Sequence, residues 1–229
     1  MRAVSVIKQW IVPAGRARHK VQFGLLSGLE MMIDLSCQTQ VYLGLSEREV
    51  FGWMKKLSKG IKTALDIGAG DGQYTLFFMA KTEAKKVWAF EPLAYNQQRI
   101  RENLSFNGLD NSPRLQQVSK YVNSYIADNE VTLDSLADQM ECPVLVKMDV
   151  DTLEYIILQG AKKFLDLPDV RWMIETHSPQ LETDCMAFLE SHGYKTKLIK
   201  NAWWRVFVPE LRPIGQNRWF VAYKPQSQI

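Results

Sequence analysis

An α/β fold with a mostly parallel central sheet and helices on both faces is predicted by three features of this 229-residue chain. From residue 63 onward, short apolar runs alternate with segments of helical periodicity, the pattern that builds strand–helix–strand units. The first run, "TALDI" (63–67), ends at glycines in every second position, Gly68, Gly70 and Gly72. The next run ends in an acid, Glu91, 25 residues after Asp66. In sheets of this kind, ligands bind beyond the carboxyl ends of the strands, so strand-end residues are the ones to inspect.

The elements follow in order. Residues 1–45 show no clear pattern beyond "LEMMIDL" (29–35), a candidate strand. They are read as an N-terminal extension packing on or near the functional cleft, ahead of a domain over 46–229. "SEREVFGWMKKLSKG" (46–60) predicts a helix: Ser46 and Glu49 have capping-box spacing, and Val50, Met54 and Leu57 share one face. Gly60 stops it after a run of lysines. After "TALDI", "YTLFFMAK" (74–81) predicts a helix and "KVWAFE" (86–91) a strand closed by Pro92. "LAYNQQRIRENLSFNG" (93–108) predicts a helix with Leu93, Ile100 and Leu104 in phase. "RLQQV" (114–118) is a weak strand and "TLDSLADQM" (132–140) a short helix. Then come "PVLVKMDV" (143–150, strand), "LEYIILQGAKKFL" (153–165, helix), "VRWMIE" (170–175, strand) and "QLETDCMAFLESHG" (180–193, helix). "YKTKLIK" (194–200) and "RWFVAYK" (218–224) predict two final strands.

Composition narrows the class. The apolar fraction of 46% and charged fraction of 23% are those of an ordinary globular domain. Three scattered cysteines, Cys37, Cys142 and Cys185, fit neither a disulfide framework nor a zinc site, which points to a reducing, cytoplasmic compartment. No apolar run reaches membrane-spanning length, and the N-terminus lacks the features of a signal peptide. Residues 1–62 hold ten Lys/Arg and four Asp/Glu, a local +6 within an overall net charge of +3. Such a basic segment reads as a solvated face first and as a polyanion contact second.

Glycine permits a tight turn and close approach of a ligand to the backbone. An acid at the end of the following strand can accept hydrogen bonds from both ribose hydroxyls. Loop, helix, strand and terminal acid together form a nucleoside-binding unit. The spacing here is G-x-G-x-G rather than the dinucleotide G-x-G-x-x-G, and Asp71 lies within the loop. Carboxylates at Asp66 and Asp71 would repel a pyrophosphate. They suit a cofactor with a cationic sulfonium, an amino group and no phosphate: S-adenosylmethionine.

Five stretches, "LDIGAGDGQYTLFFMAK", "VWAFEPLAYNQQRIRENLSFNGL", "VTLDSL", "VLVKMDVDTLEYIILQGAKKFL" and "VRWMIETHS", occur in the order seen in the FkbM-type methyltransferases, and the chain resembles that family over about residues 40–200. The run Lys147-Met148-Asp149-Val150-Asp151, then Glu154 and Gly160-Ala161, is similar to the family's K-I-D-V-E-G-x-E…G-A signature. The resemblance implies a Rossmann-like class I methyltransferase fold with an antiparallel C-terminal strand. It also implies O-methylation of a sugar, glycan or small natural-product hydroxyl. Matching positions imply that Asp66, Gly68, Ala69, Gly70, Gly72 and Tyr74 line the methionine half of the cofactor. Glu91 and Pro92 would shape the ribose site, Val118 and Ser119 would lie near the adenine, and Asp149 close to the methyl group. Asp151-Thr152 departs from the family's Glu-Gly pair.

A hydroxyl nucleophile must lose its proton as it attacks. Asp149, Asp151, Glu175 and His177 stand at adjacent strand ends. Asp149 or His177 is expected to be the base, with Glu175 orienting it or the substrate. Lys147 either tunes a neighbour or forms a structural ion pair. A divalent cation is the rival explanation of this cluster, and none is expected. Glu154 reads as a helix-dipole partner. The aromatic stretch 201–219 is a lid, a packed connection or the face of a homodimer. Two other functions stay open: methylation of RNA or a lipid-linked glycan through the basic segment, and a nucleoside-binding module without catalysis. A nicotinamide-dependent dehydrogenase is disfavoured by the loop spacing, and nucleic acid is not the expected partner.

Overall fold

A computed structural model describes residues 15–201, 217–227 and 229. Among the described residues, the central sheet has seven strands. They are β3 (Thr63–Ile67), β4 (Lys86–Phe90), β5 (Leu115–Val118), β8 (Val144–Met148), β9 (Val170–Thr176), β10 (Lys195–Leu198) and β11 (Arg218–Tyr223), in the order β5-β4-β3-β8-β9-β11-β10. β3 pairs in parallel with β4 and β8, and the parallel pairing extends to β5 on one side and β9 on the other. β11 runs antiparallel to both β9 and β10. The expected alternation and the antiparallel C-terminal strand are therefore present. Every residue of β3, β8 and β9 is buried, as continuous apolar runs in a parallel sheet require.

Strand side chains alternate between faces, and two cores result. Ala64, Leu145 and Met173 face one, with Met54, Leu57, Leu76, Phe78, Ile100 and Leu104. Leu65, Val146 and Trp172 face the other, with Ile157, Leu158, Phe164, Cys185 and Leu189. The helices are α1 (Thr39–Tyr42), α2 (Phe51–Leu57), α3 (Gln73–Lys81), α4 (Ala94–Ser105), α5 (Glu154–Gln159), α6 (Lys162–Leu165) and α7 (Pro179–Ser191).

A hairpin of β1 (Arg16–Lys20) and β2 (Glu30–Asp34), of which only β2 was expected, packs on α4. Asn107 brackets Glu30: its Oδ1 accepts the Glu30 N–H (3.0 Å) and its Nδ2 donates to the Glu30 carbonyl (2.8 Å). Val21, Leu25, Met31 and Ile33 enter the same core as Ala64 and Leu76.

Several sequence expectations fail for identifiable reasons. The Ser46/Glu49 capping box does not form. A 3₁₀ turn (Arg48–Val50) precedes α2, neither helix start has a side-chain cap, and Glu47 takes a left-handed φ of 50°. Val50, Met54 and Leu57 are nevertheless fully buried. Leu93, read as in phase with Ile100, is 55% exposed, because its backbone is extended ahead of α4. The helix expected over 153–165 breaks into α5 and α6 at Gly160-Ala161. There the backbone of a short pair, β6 (Tyr121–Val122) with β7 (Glu130–Val131), crosses so closely that a Cβ on Gly160 would lie 2.5 Å from the Ser124 Cα. That pair, in the connection before β8, carries no legible sequence signal. Of the aromatic stretch 201–219, residues 202–216 lie outside the described residues, as do residues 1–14 of the N-terminal extension.

Candidate active site

The cleft lies where β3, β4, β8 and β9 end. Gly68, Gly70 and Gly72 all have positive φ (74°, 57° and 87°), yet they serve different purposes. A Cβ on Gly68 would stand 1.9 Å from the Asp149 carbonyl oxygen, so this glycine lets the ends of β3 and β8 touch. A Cβ on Gly72 would press on Ile100, so the third glycine lets α3 pack on α4. A Cβ on Gly70 would meet nothing within 4 Å. Only the middle glycine faces open space, which fits a cradle for a ligand close to the backbone. The Ala69 side chain turns into the core, and its N–H bonds the Phe90 carbonyl.

Glu91 is 5% exposed and stands beside this loop. Its Oε2 accepts the Gly70 N–H at 2.8 Å and its Oε1 accepts the Leu93 N–H at 3.0 Å. A carboxylate offers about four acceptor positions, so two remain. Pro92 follows, with its carbonyl and that of Glu91 taking the Gln97 amide. Ser119 is exposed just past β5, next to Val118, whose carbonyl accepts the Glu91 N–H.

Asp66 lies beneath the loop and is wholly buried. Its Oδ2 accepts the Thr75 hydroxyl (2.7 Å), and Lys147 Nζ stands 3.2 Å from its Oδ1. Asp66 and Lys147 are direct partners across β3 and β8, which puts both on one face. The ammonium also donates to the Gly68 carbonyl (2.9 Å) and lies 4.0 Å from Asp149. Lys147 is therefore in an ion pair. Burial alone would lower its pKa; Asp66, then Asp149 and Glu47, outweigh burial and hold it above the ordinary lysine value. Tyr74 is half-buried, with its ring 5.2 Å from Lys147 Nζ, and its hydroxyl donates to Glu47. Burial, then the Glu47 charge, push its pKa well above the usual tyrosine value.

Asp149 and His177 each stand one residue past the ends of β8 and β9, and Glu175 is in β9 itself. β8 ends at Met148, short of the expected strand over 143–150, so Asp149 and Asp151 lie beyond it; the Asp151 side chain is 75% exposed. All four expected chemical residues still converge. His177 Nε2 lies 3.5 Å from Asp149 Oδ1, 3.7 Å from Asp151 Oδ1 and 3.8 Å from Glu175 Oε2. The other ring nitrogen, Nδ1, is 2.6 Å from Glu154 Oε1. Glu154 stands in the first turn of α5, as the sequence suggested, and being fully buried it is also the partner of the histidine. The Glu154 hydrogen bond, working against burial, holds the His177 pKa above the usual histidine value.

Residues 105–196 match the family model of the methyltransferase FkbM domain. No curated protein matches the chain. Among solved structures, the chain superposes on the methyltransferase FkbM from Methylobacillus flagellatus KT with a TM-score of 0.56 and 17% identity, over 71% of this chain and 44% of that one. It thus spans less than half of that protein's length. It also superposes on SMU.1697c from Streptococcus mutans, solved with SAH (TM-score 0.53, 16% identity, 77% of this chain and 98% of that one). A third match is M. jannaschii TYW2 in complex with AdoMet (TM-score 0.50, 14% identity, 91% and 85%). The fold is that of the Rossmann-like class I methyltransferases, and the resemblance to the FkbM type, read from motifs, is found again over residues 105–196. Among the described residues, no helix is long and apolar enough to cross a membrane.

Proposed function

We propose, from the class I methyltransferase fold and the FkbM match, that the protein is an S-adenosylmethionine-dependent O-methyltransferase acting on a hydroxyl of a sugar or small-molecule acceptor. The observation that carries this reading is the pairing of Gly70, open in front, with a buried Glu91 carboxylate that keeps two acceptor positions. Glu91 would take the ribose hydroxyls, and the Gly68–Gly72 backbone would lie along the rest of the cofactor. Asp149, Asp151 and Glu175 give the site a negative lining that suits a sulfonium and repels a pyrophosphate, while buried Asp66 is neutralised by Lys147. The cofactor, when bound, supplies an electrophilic methyl group.

The chain's own residues would orient the acceptor and remove its proton. Asp149, Asp151, Glu175 and His177 form one acidic edge at the cleft. A hydroxyl held there has carboxylates within reach to take its proton, and orientation against the methyl group supplies much of the remaining rate. His177 is held in place by Glu154 through Nδ1, and a proton on Nδ1 would leave Nε2 facing the edge.

Calorimetric titration with S-adenosylhomocysteine, with NADH alongside, tests the reading. The expected result is binding of the first ligand alone. In Glu91→Ala it weakens by about 100-fold or more, since each charge-assisted hydrogen bond contributes about 1.5–3 kcal/mol. Binding unchanged in that variant, or binding of NADH, removes the proposal.

A further inference from the structure

The acidic edge has a feature that proton transfer alone does not explain. The His177 side chain is 3% exposed, and its Nε2 has no hydrogen-bond partner. Asp149 Oδ1 is likewise buried without one. A buried nitrogen of this kind normally finds a partner. The three carboxylate oxygens nearest Nε2 stand at 3.5–3.8 Å, too far to be hydrogen-bonded to it.

We propose that Asp149, Glu175 and His177 bind a divalent cation of the manganese class. The inference rests on the methyltransferase reading and names how the same site would engage its acceptor. One donor atom from each residue falls within a 4.8 Å group. On an octahedral ion with bonds of about 2.1 Å, neighbouring ligands stand about 3 Å apart and opposite ones about 4.2 Å. The separations of Nε2 from Asp149 (3.5 Å) and from Glu175 (3.8 Å) lie between those limits. Small rotamer changes close the set.

The donor chemistry selects the ion. Two carboxylates with one imidazole form a mixed set that suits a first-row divalent metal. Calcium needs six to eight oxygens, and magnesium prefers an all-oxygen shell. Glu154 completes the arrangement: a buried carboxylate on Nδ1 leaves Nε2 as the coordinating nitrogen, the pairing found behind most metal-bound histidines. Three protein ligands leave open positions on the ion. A hydroxyl bound in one of them would be acidified, and exposed Asp151 stands beside it to pass a proton to solvent.

The test uses the full chain stripped with chelator. Mn²⁺ is titrated in and followed by calorimetry and electron paramagnetic resonance, with S-adenosylhomocysteine titrated into the same sample. One Mn²⁺ per chain is expected, with nitrogen hyperfine coupling from the imidazole. That coupling disappears in His177→Asn, and affinity falls about tenfold or more in Asp149→Asn and Glu175→Gln. The last two are near-isosteric and serve if the histidine variant does not fold. No binding at about 1 mM Mn²⁺, a Kd unaltered in both carboxamide variants, or bound Mn²⁺ without nitrogen coupling each overturns the proposal. If S-adenosylhomocysteine binds and Mn²⁺ does not, the cation site falls and the cofactor reading stands. If neither binds, both fall.

Discussion

Replacing Lys147 with methionine isolates the ion pair beneath the glycine loop. Methionine keeps most of the apolar stem, so little cavity is created. What disappears is the ammonium 3.2 Å from Asp66 and the 2.9 Å bond to the Gly68 carbonyl. Asp66 is 0% exposed and would retain only the Thr75 hydroxyl. Stranding one partner of a buried pair costs about 3–5 kcal/mol, and the lost hydrogen bond about 1 kcal/mol more. For a chain of this size each kcal/mol moves Tm by about 2–4 °C, so a fall of roughly 10–20 °C is expected. Urea denaturation at neutral pH, followed by circular dichroism, gives the free energy directly. Asp66→Asn in the same background removes the stranded charge. The double variant should therefore be more stable than the sum of the single losses by about 2 kcal/mol. A single variant within about 1 kcal/mol of wild type, or strict additivity, would refute the argument that Lys147 is there to neutralise Asp66.

Thr152 has a φ of 73°, a left-handed conformation costly for a β-branched side chain, at the position where the FkbM signature has glycine. Thr152→Gly should raise stability in urea by roughly 0.5–1 kcal/mol: relief of about 1–2 kcal/mol of strain, less the entropy lost by glycine. Asp169 accepts two bonds from buried Arg171 and one from Ser227. Burial tends to raise its pKa, but those hydrogen bonds outweigh it and hold the folded value below the ordinary one. Its contribution is therefore present above the unfolded value and lost as pH falls through the folded one. Asp169→Asn should cost about 1–2 kcal/mol near neutral pH, with the gap to wild type narrowing progressively as the pH falls below the ordinary aspartate range in unfolding curves. A gap that does not narrow as the pH is lowered through the acid range would contradict this.

Elements backed by periodicity or by punctuation were legible; those set by tertiary approach were not. β3, β8 and β9 announce themselves as apolar runs because both of their faces are buried. The break at Gly160 does not, since 153–165 has continuous helical periodicity and the glycine is required by a backbone crossing from residues 123–124, far away in sequence. The capping box at Ser46 failed for a similar reason. Local spacing favoured it, but Glu47 is turned toward Tyr74, 27 residues on. Within the candidate site, the strand-end rule singled out Asp149, Glu175 and His177, which the structure brings together. It could not find Glu154, because an acid in a first helical turn looks the same from sequence whether it faces water or a buried imidazole.

That ambiguity has a physical consequence for how the cleft is built. The glycine loop and the acidic edge share one set of supports. Lys147 bonds the Gly68 carbonyl on one side and approaches Asp149 on the other. Gly68 has no Cβ, so the Asp149 carbonyl can sit against the loop. The spacing between the two halves is therefore fixed by β3–β8 pairing, a rigid element, and not by a flexible connection. Transfer between two ligands depends on their separation to a fraction of an ångström. A parallel sheet that delivers Gly68 and Asp149 from neighbouring strands holds that separation through backbone hydrogen bonds. On the proposed reading, the acceptor's identity could vary with the surrounding walls while this backbone frame stays the same.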